Sequence, residues 1–143
     1  MSLIAVDAMG GDHAPDEIVL GAVDAAKDGH DVVLVGDVAP IRAILDDVGF
    51  DIDVVPASEV IRMDEDPAAA IRERKDASIS VAARLVAHGD AAGMVSAGST
   101  GAALAAAAFL IGRLPGVARP SLATLFPGRG WPAKAGRLRA TGR

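Results

Sequence analysis

The residue types that could do chemistry concentrate in a few short stretches. The first is DAMGGDHAP, Asp7–Pro15. Gly10 and Gly11 let the backbone come close to a ligand, and Asp7, Asp12 and His13 add polar or titratable groups to the same loop. The plainer alternative is a tight turn in which Asp12 or His13 bonds the N-terminus of a helix opened by Pro15. The second stretch is SAGSTGA, Ser96–Ala102. Its small residues bring several backbone N–H groups together at a positive helix end. Ser96, Ser99 and Thr100 add hydroxyl donors, which is what an anion such as phosphate needs. An ordinary N-cap by Ser99, with Gly98 and Gly101 serving packing, is the competing reading. The third is IRERKDASIS, Ile71–Ser80. On a helix, Arg72 and Lys75 share a face and could pair with a phosphate or an acidic partner. Asp64, Glu65, Asp66 and Glu73 lie close by, so a locally neutral, solvated helix is the alternative.

Neither glycine-rich loop is a nucleotide-binding fingerprint. GxxxxGK[ST] is absent, as is GxGxxG after the first strand, which removes most support for an NTPase or a standard dinucleotide enzyme. His13, His30 and His88 stand singly without ligand spacing, so no metal site is expected.

Short β-branched runs alternate with amphipathic stretches and would position these loops. LIAVD (3–7), DVVLVG (31–36), DIDVV (51–55), AGMVSA (92–97) and LATLF (122–126) read as strands. Pro15 suits the first turn of a helix that carries Asp16 and Glu17 and stops at Gly29. Pro40 opens a second, with Ile41, Ile44, Leu45 and Val48 as its apolar stripe and Gly49 as its end. The stretch 67–88 predicts one helix or two with a break near Asp76. A final helix over 100–113 is apolar on nearly every face, which implies burial between layers or at a subunit contact. Strand alternating with helix throughout implies an α/β fold with a parallel sheet and helices on both faces. In such a sheet ligands bind at the carboxyl ends of strands, where both glycine loops would lie.

Composition bounds the rest. The chain has 143 residues, no cysteine, 51% hydrophobic residues and a net charge of −5, which suits one globular domain and excludes both disorder and a disulfide scaffold. The start MSLIAVDAMGGD lacks a basic n-region, and the longest apolar run, Ala102–Ile111, is about half the roughly 20 residues needed to span a bilayer. A soluble, cytoplasmic protein is therefore expected. The charge is unevenly spread: residues 1–127 carry 9 basic and 19 acidic groups, whereas 128–143 carry 5 basic and none acidic. That tail lacks periodicity and is rich in Gly, Ala, Arg and Pro. Its two readings are a basic segment for an anionic surface, or a disordered or frameshift-derived product of a GC-rich gene.

DAMGGDHAP, LVGD (34–37), ASEVIRMDEDPAAAIRERKDASI (57–79), VSAGSTGA (95–102) and the stretch 112–120, in this order, resemble the phosphate acyltransferase family of bacterial phospholipid synthesis. The resemblance runs from Ile4 to about Phe126. It implies a three-layer αβα sandwich with a mostly parallel, Rossmann-like sheet. It also implies an enzyme that moves a fatty acyl group from acyl carrier protein to inorganic phosphate, giving an acyl phosphate for phospholipid synthesis. Family members form homodimers, attach peripherally to the membrane and use no cofactor, and no nucleic-acid partner is implied. By resemblance, Ser96, Gly98, Ser99, Thr100 and Gly101 form the phosphate cradle. Asp7, Met9, Gly10, Gly11, Asp12 and His13 form the facing wall, with Asp12 and His13 the catalytic candidates and His13 an acid toward the leaving thiol. Arg72 and Lys75 supply charge. Ser99 stands where the family most often has Asn, and Ala77 where Ser is common. Family members are more than twice this length, so residues 1–127 are expected to be a truncated N-terminal portion, weakly active or inactive alone, followed by a non-homologous tail over 128–143. The alternatives are a phosphate acetyl- or butyryltransferase and a non-catalytic α/β phosphate-binding module.

Overall fold

A computed structural model describes residues 2–123. The chain divides into two units, Met1–Gly112 and Arg113–Arg143, and the helices and strands of the described residues lie in the first. Strand β1 (Ile4–Asp7) is followed by helix α1 (Asp16–Lys27), whose first turn holds Asp16 and Glu17 and whose last holds Lys27, each matched to the helix dipole. Strand β2 (Val32–Gly36) then leads into α2 (Val38–Val48). The sequence reading opens α2 at Pro40, but Asp37 caps it earlier by accepting the Ala39 N–H at 3.2 Å. Pro40 thus falls in the first turn, where its missing N–H is no loss. Gly49 closes the helix at φ 64°, in the left-handed region that other residues avoid.

Strand β3 is shorter than the DIDVV run suggests, since only Val54–Pro56 pairs with β2. Asp51 instead reaches Arg42 at 2.6 Å, and acidic residues have little to gain from a strand. The stretch 67–88 is two helices, α3 (Pro67–Glu73) and α4 (Ser78–His88), with the expected break around Asp76. The break is held from the preceding loop. Asp76 accepts both the backbone N–H of Ser58, at 2.9 Å, and its hydroxyl, while Glu59 bridges Ala77. Arg74 donates to the Val60 carbonyl at 2.9 Å and meets Glu65 at 2.7 Å. Strand β4 (Gly93–Ser96) precedes α5 (Thr100–Ala106), which passes into a π-helical turn at Ala107–Ile111 rather than running on as an α-helix. This last element is not buried all round. Ala102 and Ala106 are buried, but Phe109 is 50% exposed.

The strands form one parallel sheet in the order β3-β2-β1-β4. Val6 and Leu34 face α1 and α2, packing on Val19, Val23, Ile41 and Leu45. On the other face Ala5, Val33 and Val35 meet Ala82 of α4, and α3 and α5 join α4 through Ala70, Ile71, Ala83 and Ala102. The architecture is α/β, three layers deep and Rossmann-like. At about 1.5–3 kcal/mol for each fully buried aliphatic side chain, these two interfaces carry most of the fold's stabilisation. Among the described residues no helix is long and apolar enough to cross a membrane. Leu122 and Ala123 carry no strand. The remainder of the expected strand over 122–126, the expected division between 127 and 128, and the basic tail all lie outside the described residues.

Candidate functional site at the carboxyl ends of β1 and β4

From β1 the chain crosses to β2 on one side, whereas β4 lies on the other side of β1. The loops leaving β1 and β4 therefore diverge above adjacent strand ends. A crevice at such a switch point is where parallel α/β sheets bind ligands. Asp7 and Ser96, the last residues of these two strands, are register partners.

Their side chains join the two loops. Asp7 is only 2% exposed. Its Oδ2 accepts the Ser96 hydroxyl at 2.6 Å, and its Oδ1 accepts the Met9 N–H at 3.3 Å. Ser96 Oγ in turn accepts the Gly98 N–H at 3.1 Å. A buried carboxylate is expensive unless such donors surround it, and here they come from both loops. The approach is close enough to require glycine. A Cβ on Gly10 would lie 2.5 Å from Asp7 Oδ2, 2.8 Å from Ser96 Oγ and 3.0 Å from Gly98 N. A Cβ on Gly98 would lie 3.2 Å from Gly10 Cα. Gly11, at φ 115°, lies against Ala97.

The remaining candidates occupy distinct places. Met9 packs its side chain over Gly36 at the end of β2, where a Cβ would meet Met9 Cγ at 2.6 Å. Asp12 and His13 are exposed at the loop tip, and the His13 carbonyl accepts the Glu17 N–H. Ser99 caps α5, its Oγ accepting the Ala102 N–H at 3.3 Å and leaving its own proton available to donate. Thr100 is exposed beside it. Gly101 lets α5 approach α3, since a Cβ there would lie 2.8 Å from Pro67 Cγ. Arg72 stacks on Phe109, its guanidinium 4.9 Å from the ring centroid. Lys75 lies past the end of α3, so the helical face that the sequence pattern assigns to it and Arg72 is not formed. Among the described residues neither cation bonds to the Gly10–Gly98 junction.

The arrangement offers backbone donors. Among the described residues, the N–H groups of Gly11, Asp12, His13, Ser99 and Thr100 donate no hydrogen bond within the protein. They lie on the two loops that leave the adjacent ends of β1 and β4, and backbone amides without internal partners suit an anion. Sequence reasoning found both loops but not the Asp7–Ser96 link between them. The available signal was that both strands end on a polar residue followed by alanine and, shortly after, glycine: VDAMG and VSAG.

The chain matches the family profile described as fatty acid synthesis protein over residues 2–134. It belongs to this family. Its relatives include the phosphate acyltransferase of Heliobacterium modesticaldum, 53% identical over 129 residues, which are 87% of this chain and 38% of that protein. That of Desulforamulus reducens is 52% identical over 130 residues, 89% of this chain and 39% of that protein. That of Nitratidesulfovibrio vulgaris (strain DP4) is 51% identical over 130 residues, 88% and 38% of the respective chains. The chain thus spans about two-fifths of the length of these curated relatives, and the resemblance to phosphate acyltransferases read from its loops holds across nearly all of it.

Proposed function

We propose that the crevice between the β1 and β4 loops holds inorganic phosphate as the acceptor of a fatty acyl group delivered as an acyl carrier protein thioester. A phosphate oxygen attacks the thioester carbonyl carbon, a C–O bond forms and the C–S bond breaks. The products are an acyl phosphate and the free thiol. The proton lost by hydrogen phosphate ends on the departing sulfur, so no further reactant is needed. Phosphate is its own nucleophile, and the protein's task is to hold it in line and to stabilise the developing oxyanion. The amides of Gly11–His13 and of Ser99 and Thr100 supply donors, the Ser99 and Thr100 hydroxyls add to them, and exposed His13, with Asp12 beside it, carries the proton toward sulfur. Arg72 and Lys75 contribute positive charge at longer range. Association into homodimers and peripheral attachment to a membrane belong to the same proposal.

One observation carries this reading: the two loops that leave adjacent strand ends at the switch point both carry unpaired amides among the described residues, in a chain whose relatives are named phosphate acyltransferases. A second reading is favoured by length. A chain spanning 38% of a relative can bind phosphate without completing the transfer. Incubating the 143-residue chain with a long-chain acyl carrier protein thioester and labelled phosphate tests both. The expected result is labelled acyl phosphate formed far below the ~10 s⁻¹ of an ordinary enzyme. Phosphate binding with no product at all leaves the second reading standing. Absence of phosphate binding, or a preference for acetyl or butyryl thioesters, overturns the first.

A further inference from the structure

The resemblance assigns Asp7 and Ser96 to the surface that touches phosphate, whereas their geometry points to a different task. A serine hydroxyl has one proton to give. Ser96 gives it to Asp7 Oδ2 at 2.6 Å, and its oxygen accepts the Gly98 N–H at 3.1 Å, so it has no proton left for a phosphate oxygen. Asp7 is a carboxylate with 2% exposure, and a carboxylate against a phosphate would oppose binding by like-charge repulsion.

We infer that Asp7 and Ser96 are positioning residues: a part-buried latch that holds the Gly10 and Gly98 backbones in contact and so sets the spacing of the two loops, without touching the anion. Asp7 fixes the rotor of Ser96 by taking its proton. Ser96, thus oriented, turns an acceptor lone pair to Gly98 N–H and anchors the start of the β4 loop. The same carboxylate takes Met9 N–H and anchors the β1 loop. The latch is reached from both strands because Asp7 and Ser96 are register partners at the sheet's rim. With no room for a Cβ at Gly10, a change in the Asp7–Ser96 distance passes directly to the loop backbones.

This inference rests on the phosphate reading for its ligand but not for its structural half, and the test separates the two. In the full chain, amide hydrogen exchange and nitrogen-15 shifts are followed for Gly98, Met9 and Gly11 without ligand, and inorganic phosphate is then titrated in. For Asp7→Asn, whose amide no longer holds the Ser96 hydroxyl in one orientation, we expect Gly98 N–H to exchange up to about tenfold faster although Asp7 does not touch it, the loss of a neutral hydrogen bond such as that to Ser96 being of that order. We also expect phosphate to bind several-fold more weakly. If Asp7 instead lined the phosphate pocket, removing its charge would tighten phosphate binding and leave Gly98 exchange unchanged, and that result overturns the latch. Should Asp7→Asn fail to fold, Ser96→Ala carries the test. Ser96→Ala removes the acceptor of Gly98 N–H in either case, so Met9 decides: the latch predicts an altered Met9 signal before any ligand is added although Ser96 does not touch it, whereas a direct ligand role predicts weaker phosphate binding with Met9 unmoved. If the wild-type chain binds no phosphate but the exchange coupling is present, the latch stands and the phosphate reading fails.

Discussion

Gly10→Ala is the sharpest perturbation of the loop junction, because its effect can be worked from distances. The added Cβ would lie 2.5 Å from Asp7 Oδ2 and 3.0 Å from Gly98 N, each well inside ordinary van der Waals contact. Gly10 has no positive φ, so the penalty comes from space alone. Relief requires moving the loops apart by about 1 Å, which is overpacking at a cost of about 1–3 kcal/mol, and that movement also weakens the charge-assisted Ser96–Asp7 bond. We expect a destabilisation of about 3 kcal/mol, a large share of the 5–15 kcal/mol typical of a domain. At the few degrees per kcal/mol appropriate to this chain length, the melting midpoint falls by about 10 °C. Gly21→Ala is the internal control. Gly21 is exposed within α1 and a Cβ there meets nothing within 4 Å, so the same substitution gains about 1 kcal/mol of helix propensity. Thermal and urea unfolding of the two variants should therefore move in opposite directions. A Gly10→Ala variant within about 0.5 kcal/mol of wild type would refute the close-approach argument.

Other substitutions test separate parts of the account. Ser80 Oγ is buried on α4 without a hydrogen-bond partner among the described residues, so Ser80→Ala should be neutral or stabilising by about 1 kcal/mol in urea unfolding. Ser99→Ala removes the α5 cap and should cost about 1 kcal/mol, and Ser99→Asp, which can cap as well, should recover most of that stability while weakening phosphate binding through its charge. Asp76 is held below its ordinary value of 3.8, first by the Ser58 hydroxyl and then by the Ser58 N–H. A lowered carboxylate contributes stability that is complete above the unfolded value of 3.8 and is lost as pH falls through the folded one. Local protection of the Ser58 amide in hydrogen exchange should accordingly fall in that acid range in wild type, whereas Asp76→Asn should start lower and change little.

Much of this was legible in the sequence because local signals and tertiary demands agree. VVLVG is β-branched and lies at the sheet centre, Gly49 ends α2 at positive φ, and Asp76 sits in the break between α3 and α4. The start of α2 was misplaced because Pro40 outweighs Asp37 as a visible signal, although the aspartate cap decides the first turn. The shared face of Arg72 and Lys75 dissolved because Arg74 and Asp76 are recruited by Val60 and Ser58, contacts with a loop distant in sequence. No periodicity reveals the π turn at Ala107–Ile111, nor that Arg72 stacks on Phe109 within reach of it. The two glycine loops were legible by composition, but their union through Asp7 and Ser96 spans 89 residues and depends on parallel register.

The central claim is that the β1 and β4 loops form one phosphate site. Titrating inorganic phosphate into nitrogen-15-labelled chain while following every backbone amide tests it most directly. The account predicts that Gly11, Asp12, His13, Ser99 and Thr100 shift together along a single saturating curve, while amides at the opposite end of the sheet, such as Asp31 and Asp53, stay still. Shifts confined to one loop, or centred elsewhere in the molecule, would contradict it.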